Sequence, residues 1–559
     1  MTPRKTIIAP LASFTSLVTA TAFAALAGCD DGQTTAAPDL ASAPSAKGDS
    51  SVEAVFLEFN FDGKLRTSSC WDNKTAIQDQ LLFTIGQLNG DRAVGRLDTA
   101  ELTNIKRTVE GDGSHCAITY HARLPVTWAQ KSAIPARYDF KLPADMSSDK
   151  VEAFTTKYKT KCAEAGAHDV DSGSLFYYWR PNNSGCKLAD ADALRARATV
   201  TASTLGTTGK YPEYHKVWED NVLRVVAVFG KYEDGATTSA DAGIEAFNTF
   251  VASVKSELKN KNLVTTPATV PVAPGVSTPD ITFDADLGGG KKVSIVALLV
   301  DNVRQGGPAF NARYEALSTK ADVITYNGHA GLGSNVRFLA SQGEWVKGQY
   351  VIVFMNGCDT QAYVDNALSA AHVAVNDDDT TGNKYVDIVT NGMPAFFANM
   401  SASTMAIVRG LLAWDAPRTY EQIFKNISSS QVVLVSGEQD NVYYPGYTPG
   451  GTPVDPGTGA WAGMSERGTV ATDEEKAFST PTLAAGKYLF ELAGDGDADL
   501  YVRIGSAPTA DTYDCRPYLT GSAETCEVTL DGAAKVFVSV RGYEGPASFT
   551  LVGQTDADR

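Results

Sequence analysis

Val323-Ile324-Thr325-Tyr326 runs into Asn327-Gly328-His329-Ala330-Gly331, and Tyr350-Val351-Ile352-Val353-Phe354-Met355 runs into Asn356-Gly357-Cys358-Asp359-Thr360. Each apolar run is four to six residues long and rich in β-branched and aromatic types, the pattern of a parallel strand buried on both faces. In open parallel sheets, ligands and chemistry collect just beyond the carboxyl ends of the strands. A His and a Cys at the ends of two successive strands are therefore expected to share one crevice. Their spacing, 358 − 329 = 29, leaves room for a crossover connection.

Around this stretch, residues 206–444 alternate strand and helix. Val222 to Phe229 and Lys292 to Val300 read as strands; Ala240 to Lys259 and Pro308 to Lys320 read as helices. Tyr385 to Thr390 follows as a strand, Ser401 to Leu412 as a helix and Gln431 to Val435 as the last strand. Such alternation implies a central, mostly parallel α/β sheet with helices on both faces. Gly288-Gly289-Gly290 sits between short strands and opens no helix, which argues against a phosphate loop.

The flanks differ in grammar. Residues 51–205 read as a β-rich N-terminal domain: Val55, Leu57, Phe59 and Phe61 alternate with other residues, and Leu81 to Leu88 and Ala93 to Leu97 suggest a hairpin about Asn89-Gly90. Ser147 to Cys162 is expected to be helical. Residues 445–462 form a Pro/Gly linker, and 463–559 alternate cleanly enough for a C-terminal β-sandwich.

The chain has 559 residues, 43% of them hydrophobic, and a formal net charge of −17. No basic run offers a footprint for nucleic acid. Arg4 and Lys5 precede an apolar segment ending in Leu26-Ala27-Gly28-Cys29, the layout of a secretory signal over 1–28. The small residues before Cys29 resemble the lipobox of bacterial lipoproteins, which implies lipidation of Cys29 and attachment to the cell envelope outside the cytoplasm. Residues 29–50, rich in Ala, Ser, Pro and Thr, read as a disordered tether. Setting Cys29 aside leaves seven cysteines. Neighbour pairing groups Cys70 with Cys116, Cys162 with Cys186 and Cys515 with Cys526, so Cys358 is the odd one.

A thiolate attacks a carbonyl well, and a nearby imidazole can take its proton and return it to the leaving amine. His329 and Cys358 are thus the candidate catalytic pair. The arrangement resembles the clan of cysteine peptidases that includes caspases, clostripain and gingipains, whose members carry an apolar strand ending in His-Gly and a second ending in a small residue and the nucleophilic Cys. The resemblance implies a caspase-like sheet, an oxyanion site from the N–H groups of Cys358 and Ala330, and a protein or peptide substrate with no required cofactor. Ala330 stands where that clan usually has Gly. Asp359 is expected to touch substrate, and Asp377, Asp378 and Asp379 to line a pocket for a basic side chain, to bind calcium or to form a solvated loop.

Gly496-Asp497-Ala498-Asp499-Leu500-Tyr501-Val502-Arg503, Tyr513-Asp514-Cys515-Arg516-Pro517-Tyr518 and Val540-Arg541-Gly542-Tyr543 are similar to the bacterial pre-peptidase C-terminal domain. That family accompanies secreted peptidases. Asp495, Asp497 and Asp499 are candidate calcium ligands, with turn-forming residues as the alternative. The expectation is a lipid-anchored cysteine peptidase. The alternatives are a non-catalytic surface lipoprotein binding protein or glycan, and a transpeptidase using the same dyad.

Overall fold

The computed structural model describes residues 48–445, 447, 461 and 463–555, apart from 112, 168, 482, 484 and 533. The signal segment, Cys29, most of the tether and most of the linker lie outside the described residues.

Five strands form a parallel core: β1 (Val222–Gly230), β2 (Lys291–Val300), β3 (Val323–Asn327), β4 (Val351–Asn356) and β5 (Val386–Asn391), in the order β5-β4-β3-β1-β2. Every residue of β3, β4 and β5 is buried, as near-continuous Val/Ile/aromatic runs require. The sheet is mixed rather than parallel throughout. Val433–Ser436, expected to continue the alternation, pairs antiparallel with β5, and Asp49–Ser51 adds outside it. Residues 49 and 50 were expected in the tether; they are instead an edge strand. At the other edge Asp280–Gly288 pairs antiparallel with β2 across the Gly288-Gly289-Gly290 turn, where all three φ angles are positive. Helices Ala242–Leu258 and Phe397–Leu412 pack on one face of this sheet.

On the other face lies the N-terminal domain, an antiparallel sheet of six strands built on Val55–Thr67 and Cys116–Trp128. The hairpin expected around Asn89-Gly90 is wrong on its first arm. Asn73–Asn89 is a helix, started by Asp72, whose carboxylate accepts from Thr75 N. Nearly the whole helix is buried, so it lacks the polar stripe by which a helix announces itself, and a short apolar run reads equally as a strand. Gly86 admits its neighbour: a Cβ there would stand 2.3 Å from Phe176 O, in the short helix Leu175–Tyr178. One apolar core joins Phe59, Leu81 and Leu124 of this domain to Val226, Ile324 and Met355 of the parallel sheet.

The C-terminal residues form two antiparallel sheets, of four and three strands, around a core of their own that includes Phe490, Leu500, Val538 and Leu551. The three expected disulfides are present: Cys70–Cys116, Cys162–Cys186 and Cys515–Cys526, with Cα separations of 5.5, 4.8 and 5.8 Å.

Candidate functional site

Strands β3 and β4 are in register, Asn327 opposite Asn356. His329 and Cys358 each follow two residues later, so both leave the sheet at the same end. The loops touch backbone to backbone: Gly328 N donates to Asn356 O at 3.4 Å, and a Cβ on Gly357 would stand 2.9 Å from Gly328 O and 3.2 Å from Ala330 N. Gly357 thus keeps the Ala330 amide approachable.

The His329 ring stands 5.2 Å from the Tyr232 ring and 5.1 Å from that of Phe397, and is 8% exposed. Its Nε2 lies 2.9 Å from Tyr232 O. A carbonyl only accepts, so Nε2 carries the hydrogen and Nδ1 is the basic nitrogen. Tyr326 OH and Asn335 Nδ2 both donate to His329 O, at 2.7 and 3.0 Å, and fix the loop beneath the ring.

Cys358 is 2% exposed, and its Sγ lies 3.5 Å from Ala395 O. The expectation that it is the odd thiol is corrected: it is disulfide-bonded, and its partner lies outside the described residues. Eight cysteines are an even number, and only setting Cys29 aside for a lipid made Cys358 odd. The loop is held by Asn391, whose amide donates to Gly357 O at 2.9 Å, and by Thr360, whose hydroxyl donates to Met355 O at 2.6 Å.

Asp359 does not present itself to a substrate. It is fully buried against the N-terminal domain, accepting from Asn89 Nδ2 at 2.6 Å and Tyr177 OH at 2.8 Å. Burial pushes its carboxyl up to about 7, against the opposing pull of Tyr177, Arg180 and Asn89. The same burial, together with the Asp359 charge, raises the Tyr177 phenol well above its ordinary range.

Asp377, Asp378 and Asp379 precede β5, at the amino end of the parallel strands and therefore across the sheet from Cys358. Their contacts are at that amino edge, among its own residues. Asp377 pairs with Lys347 at 2.7 Å, and Asp378 with Lys384. Asp379 Oδ1 accepts from Thr381 N and Gly382 N, closing a tight loop. In the C-terminal sheets Asp499 pairs with Arg516 at 2.9 Å and Asp497 accepts from Gly521 N at 3.0 Å, while Asp495 joins the next strand through its backbone. They do not converge on a cation, and among the described residues no three His, Cys, Asp or Glu side chains are grouped to hold a metal.

Sequence reasoning missed Tyr232, Asn335, Asn391, Asn89 and Tyr177. Asn391-Gly392 repeats the Asn-Gly pair that ends β3 and β4, and was the available signal for Asn391. Asn335 lies six residues past His329 but has nothing in its sequence neighbourhood to set it apart, and Tyr232, Asn89 and Tyr177 lie far from the two loops in sequence.

No family model matches the chain. It is 42% identical to the Neutral protease of Vibrio proteolyticus over 72 residues, 13% of this chain and 12% of that protein. It is 47% identical to the Zinc metalloprotease of Helicobacter pylori over 58 residues, 10% and 23% respectively, and 35% identical to Alkaline serine exoprotease A of Vibrio alginolyticus over 99 residues, 17% and 18%. The chain therefore spans less than a quarter of each of these relatives. Among solved structures, "Solution structure of vEP C-ter 100" is 32% identical over 15% of this chain and 83% of that one, with a TM-score of 0.14. The pre-peptidase C-terminal domain of a collagenase from Bacillus anthracis is 12% identical over 16% and 88%, with a TM-score of 0.15. These names are of metallo- and serine proteases, so they do not carry the caspase- and gingipain-like assignment. Among the described residues no helix is long and apolar enough to cross a membrane. What the comparisons share with this chain is a set of short segments, each under 100 residues, found in bacterial proteases.

Proposed function

We propose that this protein is a peptidase that cleaves peptide bonds through Cys358, with His329 as general base and acid. The observation that carries the proposal is the register of Asn327 against Asn356, which sets the His and Cys loops side by side at the carboxyl end of a buried parallel sheet. A dithiol reductant first opens the Cys358 disulfide by exchange, itself becoming the disulfide; His329 Nδ1 then takes the thiol proton and the thiolate attacks the scissile carbonyl carbon. The N–H groups of Cys358 and Ala330 receive the oxyanion. As the tetrahedral adduct collapses the C–N bond breaks, and His329 returns the proton to the leaving amine. Water, deprotonated by His329, then releases the acyl group from sulfur.

Relatives of two catalytic types share short segments with this chain, so those segments support a protease context rather than one chemistry. The zinc in the name of the Helicobacter pylori relative finds no matching group of donors among the described residues. Secretion and a lipid anchor at Cys29 belong to the same proposal. A second reading, a non-catalytic surface lipoprotein that binds protein or glycan, is favoured by the burial of Cys358.

The test is iodoacetamide labelling after mild reduction, mapped by peptide mass spectrometry, with His329→Ala as control. Rapid, His329-dependent modification of Cys358 is expected. Modification of Cys358 only after denaturation would overturn the peptidase reading in favour of the binding one.

A further inference from the structure

Helix Ala242–Leu258 begins hard against the carboxyl end of β1: a Cβ on Gly243 would stand 2.2 Å from Gly230 O and 2.6 Å from Lys231 Cα. That approach sets Asp241, the residue that caps the helix, beside the turn by which the chain leaves β1. Its carboxylate is buried, and the two oxygens divide its bonds. Asp241 Oδ1 accepts from Gly243 N and Ile244 N, both at 2.9 Å, as helix capping requires, and from Tyr232 N at 3.1 Å. Asp241 Oδ2 faces away from the helix and accepts from Glu233 N at 2.8 Å.

Glu233 N and Tyr232 O belong to one peptide group, and that group is trans. A trans peptide is planar with its N–H and C=O pointing in opposite directions, so an acceptor fixed on the N–H side aims the carbonyl on the other. The carbonyl so aimed is the one that accepts from His329 Nε2 at 2.9 Å. A carboxylate at the N–H end also polarises the peptide and makes its oxygen a stronger acceptor. The turn is held on its other flank by Lys231, paired with Asp301, whose carboxylate accepts from Gly235 N at 3.0 Å.

We infer that Asp241 is a positioning residue for His329: through the Tyr232–Glu233 peptide it holds the hydrogen on Nε2 and leaves Nδ1 as the basic nitrogen. The inference rests on the proposed peptidase for the reaction that the base serves. One side chain thus starts a helix and sets a tautomer, and the second task falls to Asp241 Oδ2, which the helix does not use.

The test reads the ring-nitrogen resonances of the full chain, isotopically labelled at its six histidines, in mildly alkaline buffer, with the His329 pair assigned by its loss in His329→Ala. The parent is expected to show a single tautomer, protonated at Nε2. Asp241→Asn keeps Oδ1 and its three donors but presents an amide N–H to Glu233 N, and Asp241→Ser keeps the helix cap alone. Asn and Ser rank with Asp as helix caps, so both variants fold, which urea midpoints check. In both, the two ring signals should draw together as the tautomers mix, and iodoacetamide labelling of reduced Cys358 should slow about tenfold, the scale of one hydrogen bond to a charged group. A role in the helix alone would lower the urea midpoint and leave the ring signals where they are; parental ring signals in either variant would overturn the positioning role. Ring signals that move while labelling keeps its rate would leave that role standing and sink His329 as the base.

Discussion

The side-chain amide of Asn356 donates to Asn327 Oδ1 at 2.8 Å, joining the last residues of β4 and β3 beneath the Cys and His loops. Asn391 at the end of β5 continues the ladder by donating to Asn356 Oδ1 at 3.0 Å, and Gln431 donates to the same oxygen at 2.9 Å. Thr404 closes the other end on Asn327. All of these groups are buried, where an unmade hydrogen bond costs more than a made one returns. Asn356→Ala is therefore expected to destabilise the protein by about 1–3 kcal/mol and to slow labelling of reduced Cys358. Urea titration checks the first, and a normal midpoint would remove the ladder from the account.

The parallel core was legible because β3, β4 and β5 are buried on both faces and so read as continuous apolar runs. The ladder was legible in part, since each of these strands ends in Asn-Gly, a turn signal that conceals a buried amide. What escaped is non-local. Nothing near Asp359 in sequence announces that Asn89 and Tyr177 come from 270 and 182 residues away to meet it. Nor does the Asn73–Asn89 helix, buried nearly all round, have the period that separates a helix from a strand. The acidic run at 377–379 looked close to Cys358 in sequence, but a parallel strand with its crossover returns the chain to the opposite edge of the sheet.

Asp359 gives the fold a pH dependence. Its carboxyl titrates near 7 when folded and near 3.8 otherwise, so the folded state holds the proton more tightly. The stabilisation is fully present below about pH 4 and is lost as pH rises through about 7, by at most roughly 4 kcal/mol. Asp359→Asn keeps the acceptor for the Asn89 amide and cannot ionise. It should flatten the fall in urea midpoint between pH 4.5 and 7.5 relative to the parent. Superimposable profiles would show that the Asp359 carboxyl is not the titrating group.

Asn335 acts on His329 only through the backbone, donating to His329 O, while Arg304 Nε donates to Asn335 Oδ1 at 3.0 Å. Asn335→Ala is expected to slow iodoacetamide labelling of reduced Cys358 several-fold, by releasing the His loop. Asn335→Asp keeps the acceptor for Arg304 but not the donor, and should behave like the Ala variant. Recovery in the Asp variant would place the effect in the Arg304 contact instead.

Asp377→Asn and Asp378→Asn test which edge of the sheet matters. Both aspartates are exposed and pair with single lysines, and Lys384 with Tyr385 holds the Asp378 carboxyl down at about 2. Exposed pairs contribute little, so neither change should shift the urea midpoint measurably. Neither should change which peptides are cleaved, because the loop lies across the sheet from Cys358. A lost preference for basic side chains in either variant would contradict that placement.

Heat should reveal two units. The N-terminal domain and parallel sheet share one core, and Arg96 fastens them: its buried guanidinium pairs with Asp98 at 2.8 Å and lies 3.7 Å from Asp49 while donating to Ser436 Oγ at 3.0 Å. Removing one partner of such a buried set leaves uncompensated charge, so Arg96→Ala should cost about 3–5 kcal/mol. The C-terminal sheets have a separate core, closed by Cys515–Cys526. Calorimetry of the full chain is expected to show two transitions. Arg96→Ala should lower the larger alone, and the double change Cys515→Ser with Cys526→Ser the smaller alone. If either variant moved both, the C-terminal sheets would be energetically part of the body that carries Cys358, and an appendage role for them would fail.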